Sequence, residues 1–242
     1  MKLRQLFENS NTKFLQTREE IEEWLQKYGI ENYTIRDDLM VDVDGSVDLF
    51  RKYLSFIPVQ FWEVSGDFDC SSNELISLSG APREVGGDFD CYKNKLQSLK
   101  GAPKKISLDF DCSGNKLTSL EGAPREVGGS FYCSNNQLTS LKGAPREVGG
   151  SFYCSNNQLT SLKGAPGEVG GDFSCSSNQL TSLEGSPREV GGSFYCSSNQ
   201  LTSLEGSPRE VGGDFECVDN PQLTSLDGIG RVMYEIISDL IS

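Results

Sequence analysis

Apolar residues recur along most of this chain at fixed positions. The eight cysteines lie at positions 70, 91, 112, 133, 154, 175, 196 and 217, so each follows the previous one by 21 residues. Each repeat also places a phenylalanine before the cysteine and two leucines after it, as in Phe131, Cys133, Leu138 and Leu141. A fixed period of about 20 to 30 residues is typical of a solenoid, in which one coil cannot bury its own apolar face.

Within a coil, the pattern predicts a short strand followed by an extended return. Phe131, Tyr132 and Cys133 alternate inward, outward and inward, as residues of a β-strand do. Asn136 lies among apolar positions, so we expect its side chain to hydrogen-bond the backbone of neighbouring coils in a ladder. Gly149 and Gly150 predict a tight corner. Since no window shows helical periodicity, we expect stacked parallel strands on one side and an extended chain on the other.

The two ends of the chain break the repeat. The segment 17–29 reads as a short helix with a capping box at Thr17 and Glu20, and residues 33–45 alternate like short strands. Residues 45–65 match the repeat as a degenerate first coil, in which Leu49 takes the cysteine position. Near the other end, one helical face would carry Ile229, Val232, Met233, Ile236, Ile237 and Leu240.

These features divide the chain into four parts. We predict a loosely ordered segment at 1–16, an N-terminal cap of a helix and short strands at 17–44, and a solenoid of one degenerate and eight clear coils at 45–228. A capping helix is predicted at 229–242, although its apolar face also fits the groove of a partner. Within the solenoid, the segment 104–108 replaces the usual Arg-Glu-Val-Gly-Gly, so one corner lacks its glycines.

The repeat FxCSxNxLTSL resembles the leucine-rich repeat pattern LxLxxNxLxxL, with Phe and Cys in the first two leucine positions. SNNQLTSLKGAP is similar to the short repeats of bacterial effector proteins, and the full unit with GAPREVGG resembles repeats of large tailed phages. The resemblance implies a β-rich solenoid with a parallel sheet face and a non-helical return side. It also implies a phage-encoded binding scaffold, but not a particular partner, because such scaffolds serve many functions.

Charge and composition restrict the partners. Thirty-five acidic and twenty-two basic residues give a formal net charge of −13, which argues against nucleic acid or an anionic membrane as a partner. We find no apolar run near the length of about 18 residues that a membrane span requires. The N-terminus lacks the apolar core of a signal peptide, which favours a cytoplasmic protein, in the host cell if a phage encodes it.

The cysteines are interpreted as small buried apolar residues. Their thiols would stack about one strand spacing, roughly 4.8 Å, apart and point in parallel, which is poor geometry for a disulfide. The chain has no histidine and no Cys-x-x-Cys pair, so it offers no zinc ligand set and no cofactor is predicted. Free thiols fit a reducing cytoplasm.

Two outward-facing columns of the predicted sheet hold the candidate binding residues. The candidates are six aspartates of the first full coils and three tyrosines further along: Asp67, Asp69, Asp88, Asp90, Asp109, Asp111, Tyr132, Tyr153 and Tyr195. Packing is not expected to need them. The aspartates form either a solvated acidic face, a site for a basic protein surface or a calcium site, although no loop wraps an ion. Tyrosine is favoured in binding surfaces.

The functional hypothesis is a non-catalytic scaffold that binds a host or phage protein through this face. Without histidine the usual general base is missing, and an open sheet does not enclose a substrate. Inhibition of a host defence protein is one expectation from the phage resemblance. One alternative is an acidic mimic of nucleic acid that inhibits a DNA-binding enzyme. Another is a capsid-packaged phage protein, since Leu6-Phe7-Glu8 resembles a prohead protease site.

Overall fold

The structure is a computed structural model that describes residues 14–226. It contains helix α1 (Arg18–Lys27) and nineteen strands. The strands are β1 (Tyr33–Ile35), β2 (Met40–Val43), β3 (Val47–Asp48), β4 (Gln60–Val64), β5 (Phe68–Asp69), β6 (Glu84–Val85), β7 (Phe89–Asp90), β8 (Lys105–Ile106), β9 (Phe110–Asp111), β10 (Glu126–Val127), β11 (Phe131–Tyr132), β12 (Glu147–Val148), β13 (Phe152–Tyr153), β14 (Glu168–Val169), β15 (Phe173–Ser174), β16 (Glu189–Val190), β17 (Phe194–Tyr195), β18 (Glu210–Val211) and β19 (Phe215–Glu216). The predicted capping helix at 229–242 and the Leu6-Phe7-Glu8 motif lie outside the described residues.

Each coil contributes one short strand to each of two sheets. The Phe sheet has nine strands in the order β19-β17-β15-β13-β11-β9-β7-β5-β3, and the Glu sheet has ten in the order β1-β2-β4-β6-β8-β10-β12-β14-β16-β18. Pairing between coils is parallel, with each residue opposite the residue 21 positions away, as for Tyr132 and Tyr153. The chain is therefore a β-solenoid. The return side was predicted to be extended, and in the structure it also forms a hydrogen-bonded sheet.

Stacked phenylalanines fill the core under the Phe sheet. The rings from Phe68 to Phe215 stack coil on coil, with centroids 5.1 to 5.5 Å apart and planes within 13° of parallel. The leucines that follow each cysteine, such as Leu138 and Leu141, are fully buried. Burial of these side chains removes apolar surface from water at every coil, which is the main stabilising contribution of the stack.

The cysteines lie in the same core. All eight are free and buried, as the packing interpretation predicted. Several thiols also donate a hydrogen bond to a carbonyl of the next coil, as Cys133 Sγ does to Tyr153 O at 3.3 Å. Leu49, which takes the cysteine position in the first coil, is completely buried as well. The position therefore accepts a purely apolar side chain.

The buried asparagines form the predicted ladder. The Asn136 amide donates to Cys112 O of the preceding coil and to Cys133 O of its own coil, both at 3.1 Å. Its Oδ1 accepts from Leu117 N at 3.0 Å. The same contacts recur in the other clear coils from Asn73 to Asn220. Each asparagine thus joins two coils through backbone groups that are otherwise hidden from water.

Helix α1 and the β1–β2 pair lie at the start of the solenoid. Thr17 and Glu20 form the predicted capping box. β1 and β2 pair antiparallel, and β2 joins the Glu sheet beside β4. The Trp24 ring packs against Phe61, and Phe61 packs against Phe68 with ring centroids 5.3 Å apart. Aromatic contacts thus connect the helix to the phenylalanine stack.

The first glycine of each Gly-Gly corner allows close approach of successive coils. A Cβ added at Gly149 would lie 2.1 Å from the carbonyl oxygen of Gly128. Ser107 takes this position in the coil that lacks the glycines. There the Ser107 N to Val85 O hydrogen bond is 3.3 Å long, against 2.9 to 3.1 Å for the equivalent bonds from Gly86, Gly149, Gly170, Gly191 and Gly212. The corner without glycines therefore has a slightly longer hydrogen bond between coils.

Candidate functional site

The first outward column of the Phe sheet lies just before the phenylalanines and consists of aspartates and serines. Asp67 Oδ1 accepts a hydrogen bond from Asp88 N at 2.9 Å, and Asp88 Oδ1 accepts from Asp109 N at 2.8 Å. Ser130 Oγ continues the series by accepting from Ser151 N at 3.0 Å. The expectation that packing needs none of these side chains is wrong, because each binds a backbone N–H of the next coil.

The second outward column begins with Asp69, Asp90 and Asp111, which lie opposite one another on adjacent parallel strands. Each carboxylate accepts from the backbone N–H two residues ahead, as Asp90 Oδ1 does from Tyr92 N at 2.8 Å. Burial, and then the charges of Asp111, Asp69 and Asp88, raise the pKa of Asp90 to about 6. Burial also raises the pKa of Asp111. The negative charges of Asp69, Asp90 and Asp111 therefore repel one another.

The same column continues with the tyrosines. The rings of Tyr132 and Tyr153 stack with centroids 5.2 Å apart and planes within 11° of parallel. The Tyr153 hydroxyl donates to Asp172 Oδ2 at 3.2 Å. Burial first, together with the nearby Asp172 charge, raises the pKa of Tyr153. Tyr195 lies two strands further on, separated from Tyr153 by Ser174.

The structure thus brings the candidates together in two groups on one face. The six aspartates form an acidic patch over three consecutive coils, and Tyr132 and Tyr153 form an aromatic pair beside it. Sequence reasoning did not select Tyr92, whose ring lies next to the acidic patch with Lys93 Nζ 4.8 Å from its centroid. Its position two residues after Asp90 could have been noticed, because that column otherwise holds mostly serine.

A groove on the other sheet was also not predicted. It has a volume of about 1240 Å³ and runs over the Glu sheet from Lys104 to Gly212. Glutamates and glycines of successive coils line it. Arg188 forms ion pairs with Glu168 and Glu189 at 2.6 and 3.0 Å. Because these side chains are half exposed, the pair contributes little to stability.

Comparisons with family models, curated proteins and solved structures find no match for this chain. Within residues 14–226, no three acidic or cysteine side chains are grouped so that they could hold a metal ion. No helix in that range has the length and apolar character required to cross a membrane. The candidate site is thus an outward sheet face with an acidic patch and a stacked tyrosine pair.

Proposed function

We propose that this protein is a non-catalytic scaffold that binds a protein partner through the outer face of the Phe sheet. The observation that carries the proposal is the tyrosine pair. The column that holds Tyr132 and Tyr153 also accepts Ser174 and Glu216, so the fold does not require an aromatic side chain there. Partly exposed, mutually ordered rings offer a large contact area at a small entropic cost, which is typical of binding hot spots.

The acidic patch supports a partner with a basic surface. Each aspartate uses Oδ1 to accept a backbone N–H, as Asp88 does, so the patch is held in a fixed geometry. Their close spacing raises the local negative potential beyond that of isolated carboxylates. A basic partner would relieve this repulsion and would associate faster because of it. The aspartates therefore have two roles in the proposal, in the backbone ladder and in attraction of the partner.

The proposal also covers the class of the repeat, the role of the N-terminal elements and the origin of the protein. The repeat is assigned to the leucine-rich repeat class, with support from the Asn136 ladder and from buried Leu138 and Leu141. Helix α1 and the β1–β2 pair are assigned as an N-terminal cap, because Trp24 covers Phe61 at the start of the stack. The similarity to phage repeats supports a phage-encoded protein that acts in the host cytoplasm on a host or phage protein, for example one that serves host defence.

The test is affinity for the captured partner. The protein is used to isolate partners from host lysate, and the affinity of each partner is measured for single alanine variants of Tyr132, Tyr153 and Tyr195. Affinity is expected to fall by about 2 kcal/mol at a hot-spot tyrosine. Stability should fall by no more than about 1 kcal/mol, because alanine removes a cross-strand contact of a half-exposed ring and opens no core cavity. Charge reversal at Asp90 should slow association, with an effect that shrinks in salt.

Matched controls lie on the Glu sheet. Alanine at Glu126 or Glu147 should leave the affinity unchanged, because both side chains lie on the other sheet. If these glutamate variants lose binding while the tyrosine variants bind normally, the partner occupies the Glu sheet groove and the proposal is wrong.

A further inference from the structure

The corner that follows the Phe sheet carries aromatic, apolar and basic side chains in the first four coils. This corner strip consists of Phe50, Arg51, Tyr53, Ile76, Tyr92, Lys93, Lys95 and Lys116. In the coils from Cys133 to Cys196, the same positions hold serine, asparagine, glutamine or threonine, as Ser134, Asn135 and Gln137 show. The repeat therefore folds without aromatic or charged side chains at these positions.

The corner strip is exposed, and its cations lie over its rings. Tyr53 is 87% and Ile76 64% exposed, the two highest values among the large apolar side chains of residues 14–226. The Arg51 guanidinium lies 4.8 Å from the centroid of the Phe50 ring, and Lys93 Nζ lies at the same distance from that of Tyr92. Exposed apolar side chains that cluster in this way are typical of an interaction site.

The corner strip borders the acidic patch. Tyr92 N donates to Asp90 Oδ1 at 2.8 Å, and Ser71 N donates to Asp69 Oδ1 in the preceding coil at the same distance. The patch and the strip therefore run side by side along the same coils. Because Lys95 forms an ion pair with Glu74, the positive charge of the strip comes from Arg51, Lys93 and Lys116. The first coils thus present two parallel bands of opposite charge.

A second copy of the chain complements both bands at once. A two-fold axis along the boundary between the bands, parallel to the solenoid axis, lays each corner strip on the acidic patch of the other copy. Such an interface is isologous, since the same surface is used by both copies. Nucleic acid does not fit this surface, because phosphates that the strip attracts are repelled by the six neighbouring aspartates.

We propose that two copies of this protein associate through their first four coils, each corner strip on the acidic patch of the other. Four coils at about 4.8 Å and ten residues at about 3.3 Å limit the contact to roughly 600 Å² per copy. A standard interface buries about 800 Å² per partner, so the dimer should be weak. This inference goes beyond the proposed function, and the dimer competes with a basic partner for the acidic patch.

The test is sedimentation equilibrium of the full chain over a concentration series, with no other protein present. The wild type should dimerise reversibly, and added salt should raise its dissociation constant about ten-fold, because the paired charges are exposed to screening.

Two charge-reversal variants test the pairing of the bands. The strip variant carries Arg51→Asp and Lys93→Asp; Asp219 takes the equivalent position with φ of 55°, so aspartate is compatible with the backbone there. The patch variant carries Asp69→Lys, Asp90→Lys and Asp111→Lys, in a column that also accepts tyrosine, serine and glutamate. Each variant alone should dimerise at least about ten-fold more weakly, because like charges then face each other. An equimolar mixture should restore the dimer, since the acidic strip meets the basic patch.

The matched control is Asn156→Asp, which adds the same side chain at the same position of a later coil and should leave the dimer unchanged. If the patch variant does not fold, Tyr53→Ala provides the second test, because it removes an exposed ring from the strip and should weaken the dimer. A wild type that stays monomeric at every concentration, or a mixture that associates no better than its components, overturns the inference.

The assay contains no partner, so this inference and the proposed function fail separately. A monomeric protein whose tyrosine variants lose the captured partner overturns the dimer and leaves the proposed function supported. A dimer that follows the charge reversals, with tyrosine variants that bind the partner normally, supports the dimer and shows that the proposed function is wrong.

Discussion

Replacement of Asn157 by alanine is expected to destabilise the protein strongly, because this side chain joins two coils. Its amide donates to Cys133 O at 3.1 Å, Cys154 O at 3.0 Å and Ser155 O at 3.2 Å, while Oδ1 accepts from Leu138 N at 3.0 Å. Alanine leaves the buried Leu138 N–H without an acceptor and the carbonyls with fewer donors. One orphaned buried N–H costs about 1–3 kcal/mol, and with the weakened carbonyls we expect a total of about 2–4 kcal/mol.

The assay is urea unfolding followed by circular dichroism, with free energies from linear extrapolation. The matched control is Asn156→Ser. Asn156 is exposed with φ of 56°, and Ser177 takes the equivalent position with φ of 57°. The control should change stability by no more than about 0.5 kcal/mol. If Asn157→Ala costs as little as the control, the asparagine ladder does not hold the coils together and the reasoning fails.

Three further predictions concern the corner glycines, the thiols and the acidic patch. Gly149→Ala should cost about 1–3 kcal/mol in unfolding free energy, because its Cβ would lie 2.1 Å from a carbonyl oxygen of the preceding coil. The eight buried thiols should be alkylated slowly in the native protein and completely after unfolding, as counted by mass spectrometry. The raised pKa of Asp90, about 6, means that the folded protein binds more protons than the unfolded chain between about pH 4 and 6. Stability should therefore fall as pH rises through this window, and Asp90→Asn should flatten that slope.

A specific result would contradict each of the three predictions on the glycines, the thiols and Asp90. A Cβ added at Gly167 would meet no atom within 4 Å, so Gly167→Ala is the matched control, and equal losses in the two glycine variants would refute the close-approach argument. An intramolecular disulfide in freshly purified protein would contradict the packing role of the cysteines. An unchanged pH slope in Asp90→Asn would show that the pKa of Asp90 is not raised in the folded protein.

The solenoid and its core follow from the repeat because each coil places the same residue in the same environment. The inward positions of Phe131 and Cys133 could be assigned from strand alternation alone. Asn136 could be assigned to a ladder because a buried amide must be satisfied. The first coil could be recognised from Leu49, which shows that the cysteine position needs an apolar side chain rather than a thiol.

The second sheet and the role of the aspartates could not be predicted in the same way. The return strands, such as Glu147–Val148, each carry a single buried apolar residue, so no alternation marks them in the sequence as it marks Phe131 and Cys133. Asp67 and Asp88 appeared free because an outward side chain has no packing role in the sequence pattern. Their hydrogen bonds reach a backbone N–H 21 residues away, which only the stacked geometry reveals.

The central claim, that the outer face of the Phe sheet binds a protein, is tested most directly by site-specific photo-crosslinking. A photoreactive phenylalanine analogue is placed at Tyr153 in one protein and at Glu147, on the Glu sheet, in another. On irradiation in host lysate, the first protein should give one discrete crosslinked species that excess unlabelled protein reduces, and the second should give none. Crosslinking from position 147 without crosslinking from position 153 would contradict the account.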